Sequence, residues 1–121
     1  ISLPVSAIPA FVRKTGEALQ IAFPGCQLVC FGHLGDGNLH FNVAPPEGEQ
    51  HEQFLANQEA INRIVHDSVH AHNGSISAEH GIGALKRDEL GRYKQPVELE
   101  MMRAIKHALD PLGIMNPGKI L

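Results

Sequence analysis

Cys26-Gln27-Leu28-Val29-Cys30-Phe31-Gly32-His33-Leu34-Gly35-Asp36-Gly37-Asn38-Leu39-His40-Phe41-Asn42-Val43-Ala44 consists of two apolar runs around a cluster of turn residues. Asp-Gly between alternating runs is the strongest short-range signal for a β-hairpin. With Asp36-Gly37 as a two-residue loop, Leu34 faces Leu39, His33 faces His40 and Phe31 faces Asn42. Side chains alternate across a strand, so Leu28, Cys30, Leu34, Leu39, Phe41 and Val43 share one face, while His33, His40 and Asn42 share the other. The apolar face is the one that helices must cover. The polar face stays open to a ligand or another domain. In this register the two imidazoles stand directly opposite, with Cβ atoms about 4.5–5.5 Å apart.

Working outward, Ile1 to Val5 is short and apolar, and Pro4 limits it to an edge strand. From Ile8 to Phe23 the residues Ile8, Phe11, Val12, Leu19, Ala22 and Phe23 return at helical spacing; Ser6 can cap, Pro9 suits the first turn, and Pro24-Gly25 ends the run. Glu49 to His72 reads as one long helix with Phe54, Ile61, Ile64, Val65 and Val69 on one side, closed by Asn73-Gly74. Ser75 to Ala78 reads as a fourth strand. The order strand, helix, strand, strand, helix, strand over residues 1–78 predicts an α+β fold. Its expected form is a ferredoxin-like split βαβ antiparallel sheet with the helices on one face. Residues 79–121 form a helical extension. In it, Gly83 to Leu90 is a short helix and Gly91 to Gln95 a loop. Pro96 to Leu109 is a helix burying Leu99, Met102, Ile105 and Leu109, followed by a turn at Asn116-Pro117-Gly118-Lys119.

The chain has 121 residues, enough for one domain and too few for a multidomain enzyme. Hydrophobic residues at 43% and charged residues at 19% exclude the composition of a disordered chain. Thirteen acidic residues against ten Lys and Arg give a net charge of -3, with no basic block to engage nucleic acid. No apolar run reaches the length of a membrane span and no signal-peptide pattern opens the chain. The expected setting is the cytoplasm, or the mitochondrial matrix in a eukaryote, with the protein soluble or peripheral. Cys26 and Cys30 lie about 13 Å apart along one strand, too far to bridge, and read as buried free thiols. Ile1 in place of Met suggests a piece of a longer polypeptide.

Eight histidines stand out in a chain with one Tyr and no Trp. The His33 and His40 pair can hold one metal ion through neutral ring nitrogens, or be a solvated pair beside a turn. In Ser77-Ala78-Glu79-His80-Gly81-Ile82-Gly83, Glu79 at the end of the fourth strand could complete a His-His-carboxylate set with open positions for substrate. The other reading of Glu79-His80 is the first turn of a helix. His66 and His70 are spaced i, i+4 but fall away from Ile61, Ile64 and Val65, on what reads as a solvated face. His72 and His107 sit near helix C-termini, and His51 reads as surface.

Three segments together carry a family resemblance: Gly32 to Val43, Ser77 to Gly83, and Asp110-Pro111-Leu112-Gly113-Ile114-Met115-Asn116-Pro117-Gly118-Lys119. They resemble the C-terminal part of FAD-linked dehydrogenases of 2-hydroxy acids. This is the group of the glycolate oxidase flavin subunit, D-lactate dehydrogenase and D-2-hydroxyglutarate dehydrogenase, in the vanillyl-alcohol oxidase superfamily. The resemblance implies that His33, His40 and Glu79 correspond to ligands of a divalent metal, usually zinc. It further implies that Asn42 contacts substrate, that His80 is the catalytic base and that Asn116 contacts the flavin. The FAD would be bound mainly by an N-terminal FAD-binding domain that this chain lacks. Implied partners are that domain, a small D-2-hydroxy acid and an electron acceptor, and a homodimer is compatible with the sequence. Two alternatives stay open: a metal-free member using the same histidines on substrate, and a non-catalytic ferredoxin-like binding or oligomerisation module.

Overall fold

Helix-compatible spacing and an Asp-Gly turn translate into real elements in the computed structural model, which describes residues 1–121. Helix α1 (Ile8–Ala22) is followed by strands β1 (Gln27–His33) and β2 (Asn38–Ala44). Then come α2 (His51–Leu55), α3 (Gln58–Ala71), α4 (Arg87–Tyr93) and α5 (Pro96–Leu109). The class is α+β, and the chain divides into a unit of Ile1–Glu79 and a unit of His80–Leu121.

In the first unit α1 buries Ile8, Phe11, Thr15, Gly16 and Leu19, one stripe at helical spacing. Phe11 meets Phe41 of β2 edge-on, with ring centroids 5.4 Å apart, and packs against His72 at 5.8 Å. A Cβ on Gly16 would stand 3.0 Å from Leu28 Cδ1, so α1 lies directly on the apolar face of β1. The buried hydroxyl of Thr15 shares a hydrogen bond of 2.5 Å with Ser68 Oγ, tying α1 to α3. Cys26 closes this core, and burial pushes its thiol pKa up.

The hairpin differs from the two-residue reading. Leu34–Asp36 is a single 3-10 turn, Gly37 N–H donates to Leu34 O at 3.0 Å, and only Gly37 takes positive φ, at 69°. A two-residue type I′ loop needs positive φ at both central residues, and Asp36 does not adopt it. The loop is therefore four residues long, and His33 pairs with Asn38, Phe31 with His40 and Val29 with Asn42. His33 and His40 are diagonal neighbours, not opposite ones. A shift of two residues preserves the faces, so the polar set stays together; Leu34 leaves the helix face for the turn and is exposed. Gly37 is required twice over, by its φ and because a Cβ there would lie 2.0 Å from Leu3 O.

The sheet has two strands, not four. The segment at Ile1 contributes only bridges of Ser2 to Asn38 and to Ser75, because Pro4 has no N–H and a 3-10 turn begins at Val5. The segment at Ser75 is likewise cut short. Ser75 Oγ donates to Ser77 O and accepts from Ser77 N–H, a local loop that replaces ladder bonds. The pairing order nonetheless runs Ser75, Ser2, Asn38 in β2, then β1. The long helix expected over Glu49 to His72 breaks at Ala56-Asn57 into α2 and α3. His66 is buried at 5% exposure beside Ile61, Val65 and Val69, contrary to the solvated reading, whereas His70 is exposed. Cys30 is exposed, not buried.

In the second unit the helix expected over Gly83 to Leu90 is a turn followed by α4, which runs on to Tyr93 and shortens the expected loop to Lys94-Gln95. Helix α5 starts with Pro96, and a reciprocal capping box joins Gln95 and Glu98. Lys94 Nζ donates to Glu98 Oε1 at 2.8 Å, holding the Glu98 carboxyl below its ordinary pKa. The expected buried stripe is not buried: α5 buries no residue, and Val97, Met101, Ile105 and Leu109, spaced four apart, are all exposed. No helix is long and apolar enough to cross a membrane.

Candidate functional site

The first unit carries its polar residues on the sheet face turned away from α1 and at the segment ending in Glu79. Phe31 and His40, cross-strand partners, stack with centroids 4.9 Å apart and planes 13° from parallel. Asn42 is exposed two residues further along β2 on the same face. At the hairpin end of this face His33 Nδ1 and Glu79 Oε1 are 3.7 Å apart, an ion pair whenever the imidazole carries a proton. The Asn38 side-chain amide donates to the same Glu79 oxygen. Ser2, His33, Asp36, Asn38, Ser77 and Glu79 line an open cleft of about 550 Å3.

Three elements bring these groups together. The 3-10 turn and Gly37 fix where β2 starts, hence that Asn38 faces His33. The opening segment bonds across the hairpin through Leu3 N–H to Gly37 O and Leu39 N–H to Ile1 O, both 2.9 Å. The reciprocal bonds of Ser2 and Ser75, both 2.8 Å, then place the chain four residues before Glu79.

Of the residues expected to hold a metal, His33 and Glu79 converge, while His40 lies one diagonal step away with its ring on Phe31. No group of three His, Cys, Asp or Glu side chains comes together. In donor type, imidazole and carboxylate, the set suits a divalent ion, and two of its three members, His33 and Glu79, are brought together. Two donors at usual zinc distances from one tetrahedral ion are about 3.3 Å from each other, close to the separation of His33 and Glu79. His80 is exposed and begins the second unit. The segment from Ser77 to Lys86 is turn and coil, so Glu79-His80 does not open a helix.

In the second unit Asn116 takes left-handed φ of 47° in an exposed turn closed by Lys119 N–H to Asn116 O at 3.3 Å. Asp110, which the sequence marked only as the first residue of the segment after α5, organises that segment. It is buried, accepts from Ile114 N–H at 3.0 Å and Met115 N–H at 2.9 Å, and pairs with Lys106. The Lys106 hydrogen bond chiefly holds its carboxyl below the ordinary range, despite the opposing effect of burial. Asn38, the other residue not singled out from sequence, had no local signal: its role depends on a register that the Asp-Gly motif misassigns.

The amino-acid sequence of this α+β chain matches a known family. The sequence model of the C-terminal domain of FAD linked oxidases matches residues 1–120, and the chain belongs to that family. Among curated relatives, D-2-hydroxyglutarate dehydrogenase of Stutzerimonas stutzeri is 44% identical over 120 residues, covering 99% of this chain and 26% of that protein. The one from Xanthomonas citri is 42% identical, covering 99% and 25%. The Arabidopsis thaliana protein named D-2-hydroxyglutarate dehydrogenase, mitochondrial, is 44% identical, covering 100% and 20%. The chain thus spans about a quarter or less of the length of these relatives.

Proposed function

We propose that this chain is the substrate-side domain of a flavin-dependent dehydrogenase that oxidises a D-2-hydroxy acid of the 2-hydroxyglutarate type to the 2-oxo acid. The observation that carries the reading is the convergence of His33, Asn38 and Glu79 on one cleft. Its partners are an FAD-binding domain, the hydroxy acid and an electron acceptor. His33, Glu79 and, after its ring leaves Phe31, His40 would hold a divalent cation such as zinc. Bound FAD supplies an acceptor for the hydride leaving C2, and the cation a Lewis acid for the 2-hydroxyl.

The chain's own residues supply the rest. His80, next in sequence to Glu79, takes the hydroxyl proton as general base, a step worth about 10²- to 10⁴-fold in rate. Asn42 donates its amide to the substrate from the open sheet face, and Asn116 donates to the flavin. A metal-free version, in which His33 and His40 bind the hydroxy acid directly, is favoured by one observation: His40 is stacked on Phe31 and not gathered with the other two.

The test is flavin bleaching with D-2-hydroxyglutarate, D-lactate and glycolate. The 121 residues with added FAD should show none; joined to a flavin domain they should reduce it, fastest with D-2-hydroxyglutarate. His80→Ala should then slow reduction at least about a hundredfold. An unchanged rate removes His80 from the chemistry. Elemental analysis separates the two readings, since His33→Ala and Glu79→Ala should each lower metal content only in the metal-dependent one.

A further inference from the structure

We propose that Asn38 is the positioning residue of this site, its amide holding the Glu79 carboxylate beside the His33 imidazole. The inference rests on the reading of His33 and Glu79 as cation ligands. It starts from a contrast in burial. Asn38 is 7% exposed, whereas the His33 and Glu79 side chains are 71% and 43% exposed. An exposed carboxylate on a coil segment has several rotamers and water as a partner, so nothing in its own backbone holds it toward an imidazole.

Asn38 can do so because it is itself fixed. It opens β2 opposite His33, it follows the obligatory glycine at 37, and its backbone is bridged by Ser2 through the bonds of Leu3 and Leu39. Its side chain spans from this frame to Glu79 Oε1, the same oxygen that stands 3.7 Å from His33 Nδ1. An Asn amide donates two hydrogen bonds and carries no charge. It orients the carboxylate without neutralising it, leaving the full negative charge for a cation, which a Lys or Arg in the same place would cancel. Without this bond, the amide would be a buried polar group in need of another partner.

The measurement is the zinc affinity of the protein, by competition with a chromophoric chelator, for wild type, Asn38→Ala, Glu79→Gln and the double variant. Residues that orient a ligand typically alter metal affinity by about 10- to 100-fold, and Asn38→Ala should weaken binding by that factor. Glu79→Gln should weaken it further, and adding Asn38→Ala to it should cost nothing more, because Asn38 acts through Glu79. Asn38→Ser, which keeps a polar atom but lacks the reach, should behave as Asn38→Ala and stands in if the alanine form does not fold. Equal weakening in both backgrounds would mean a general structural effect and overturn the proposal, as would binding within twofold of wild type. If the wild type binds no zinc, the cation reading fails and takes the proposal with it. If the wild type binds and only the Asn38 effect is missing, the cation reading survives alone.

Discussion

The two units of this chain solve the problem of order in opposite ways. Ile1–Glu79 encloses its own interior, with Phe11, Leu19 and Val69 fully buried between α1, the hairpin and α3. His80–Leu121 buries Leu90 and Asp110 and leaves the apolar stripe of α5 in the open, together with Leu112, Ile114 and Met115. Its order comes from polar links: the capping box at Gln95, Lys106 to Met115 O at 2.5 Å, the carboxylate of Asp110, and Ile120 N–H to Gly83 O at 2.8 Å. The lesson is that tight packing fixes the frame around His33 and Asn38 in the first unit, whereas hydrogen bonds order most of the second. The second has the hydrogen bonds of a defined fold and leaves most of its large apolar side chains exposed.

The sharpest way to break that comparison is a pair of truncations. Phe11→Ala, at a fully buried position, should cost about 3–5 kcal/mol in a denaturant titration. Ile105→Ala, at 59% exposure, should stay within about 0.5 kcal/mol. If Ile105→Ala costs as much as Phe11→Ala, the second unit has an interior of its own and the contrast is wrong.

A smaller effect is expected at the glycine that sets the register. Gly37→Ala puts a Cβ against Leu3 O and a non-glycine residue at positive φ, so stability should fall by more than about 1 kcal/mol. Cross-strand amide signals should show loss of the Ser2 to Asn38 bridge, while α1 and α3 stay intact. An unaltered bridge would show that the opening segment does not need so close an approach.

The smallest effect belongs to Asp110 and sharpens the second half of the contrast. Its folded pKa lies below the ordinary value, so its contribution is complete above about pH 4 and is lost as the pH falls through the depressed value. Amide-exchange protection at Ile114 and Met115 should therefore drop on acidification, with the first unit unaffected. Asp110→Asn should lower that protection at neutral pH and flatten its pH dependence; a pH profile like that of the wild type would assign the loop's order elsewhere.

Much of this was legible in the residues. Ile8, Phe11 and Leu19 mark α1, and Pro96 with Lys106 and His107 marks both ends of α5, because capping and helical spacing are local chemistry. The same holds for the two faces of the hairpin: alternation puts His33, His40 and Asn42 on one side whether two or four residues join the strands, because a shift of two keeps the faces. The loop itself was not legible. Asp36 stays right-handed and Gly37 alone turns left-handed, a choice made with Leu3 O packed against the turn from far away in sequence. His66 and Ile105 show the same limit from two sides. Helical periodicity says which residues share a face, and it does not say which faces meet another element.

By itself, then, the sequence determined the family, the α+β class and the set of groups offered to one sheet face, since motif, propensity and alternation are written within a few neighbouring residues. Only the tertiary structure decided that Asn38 rather than His40 stands opposite His33, that two expected strands shrink to single bridges, and that α5 keeps its apolar stripe exposed. Each of these turns on contacts between segments distant in the chain, whose energies no local window of sequence contains.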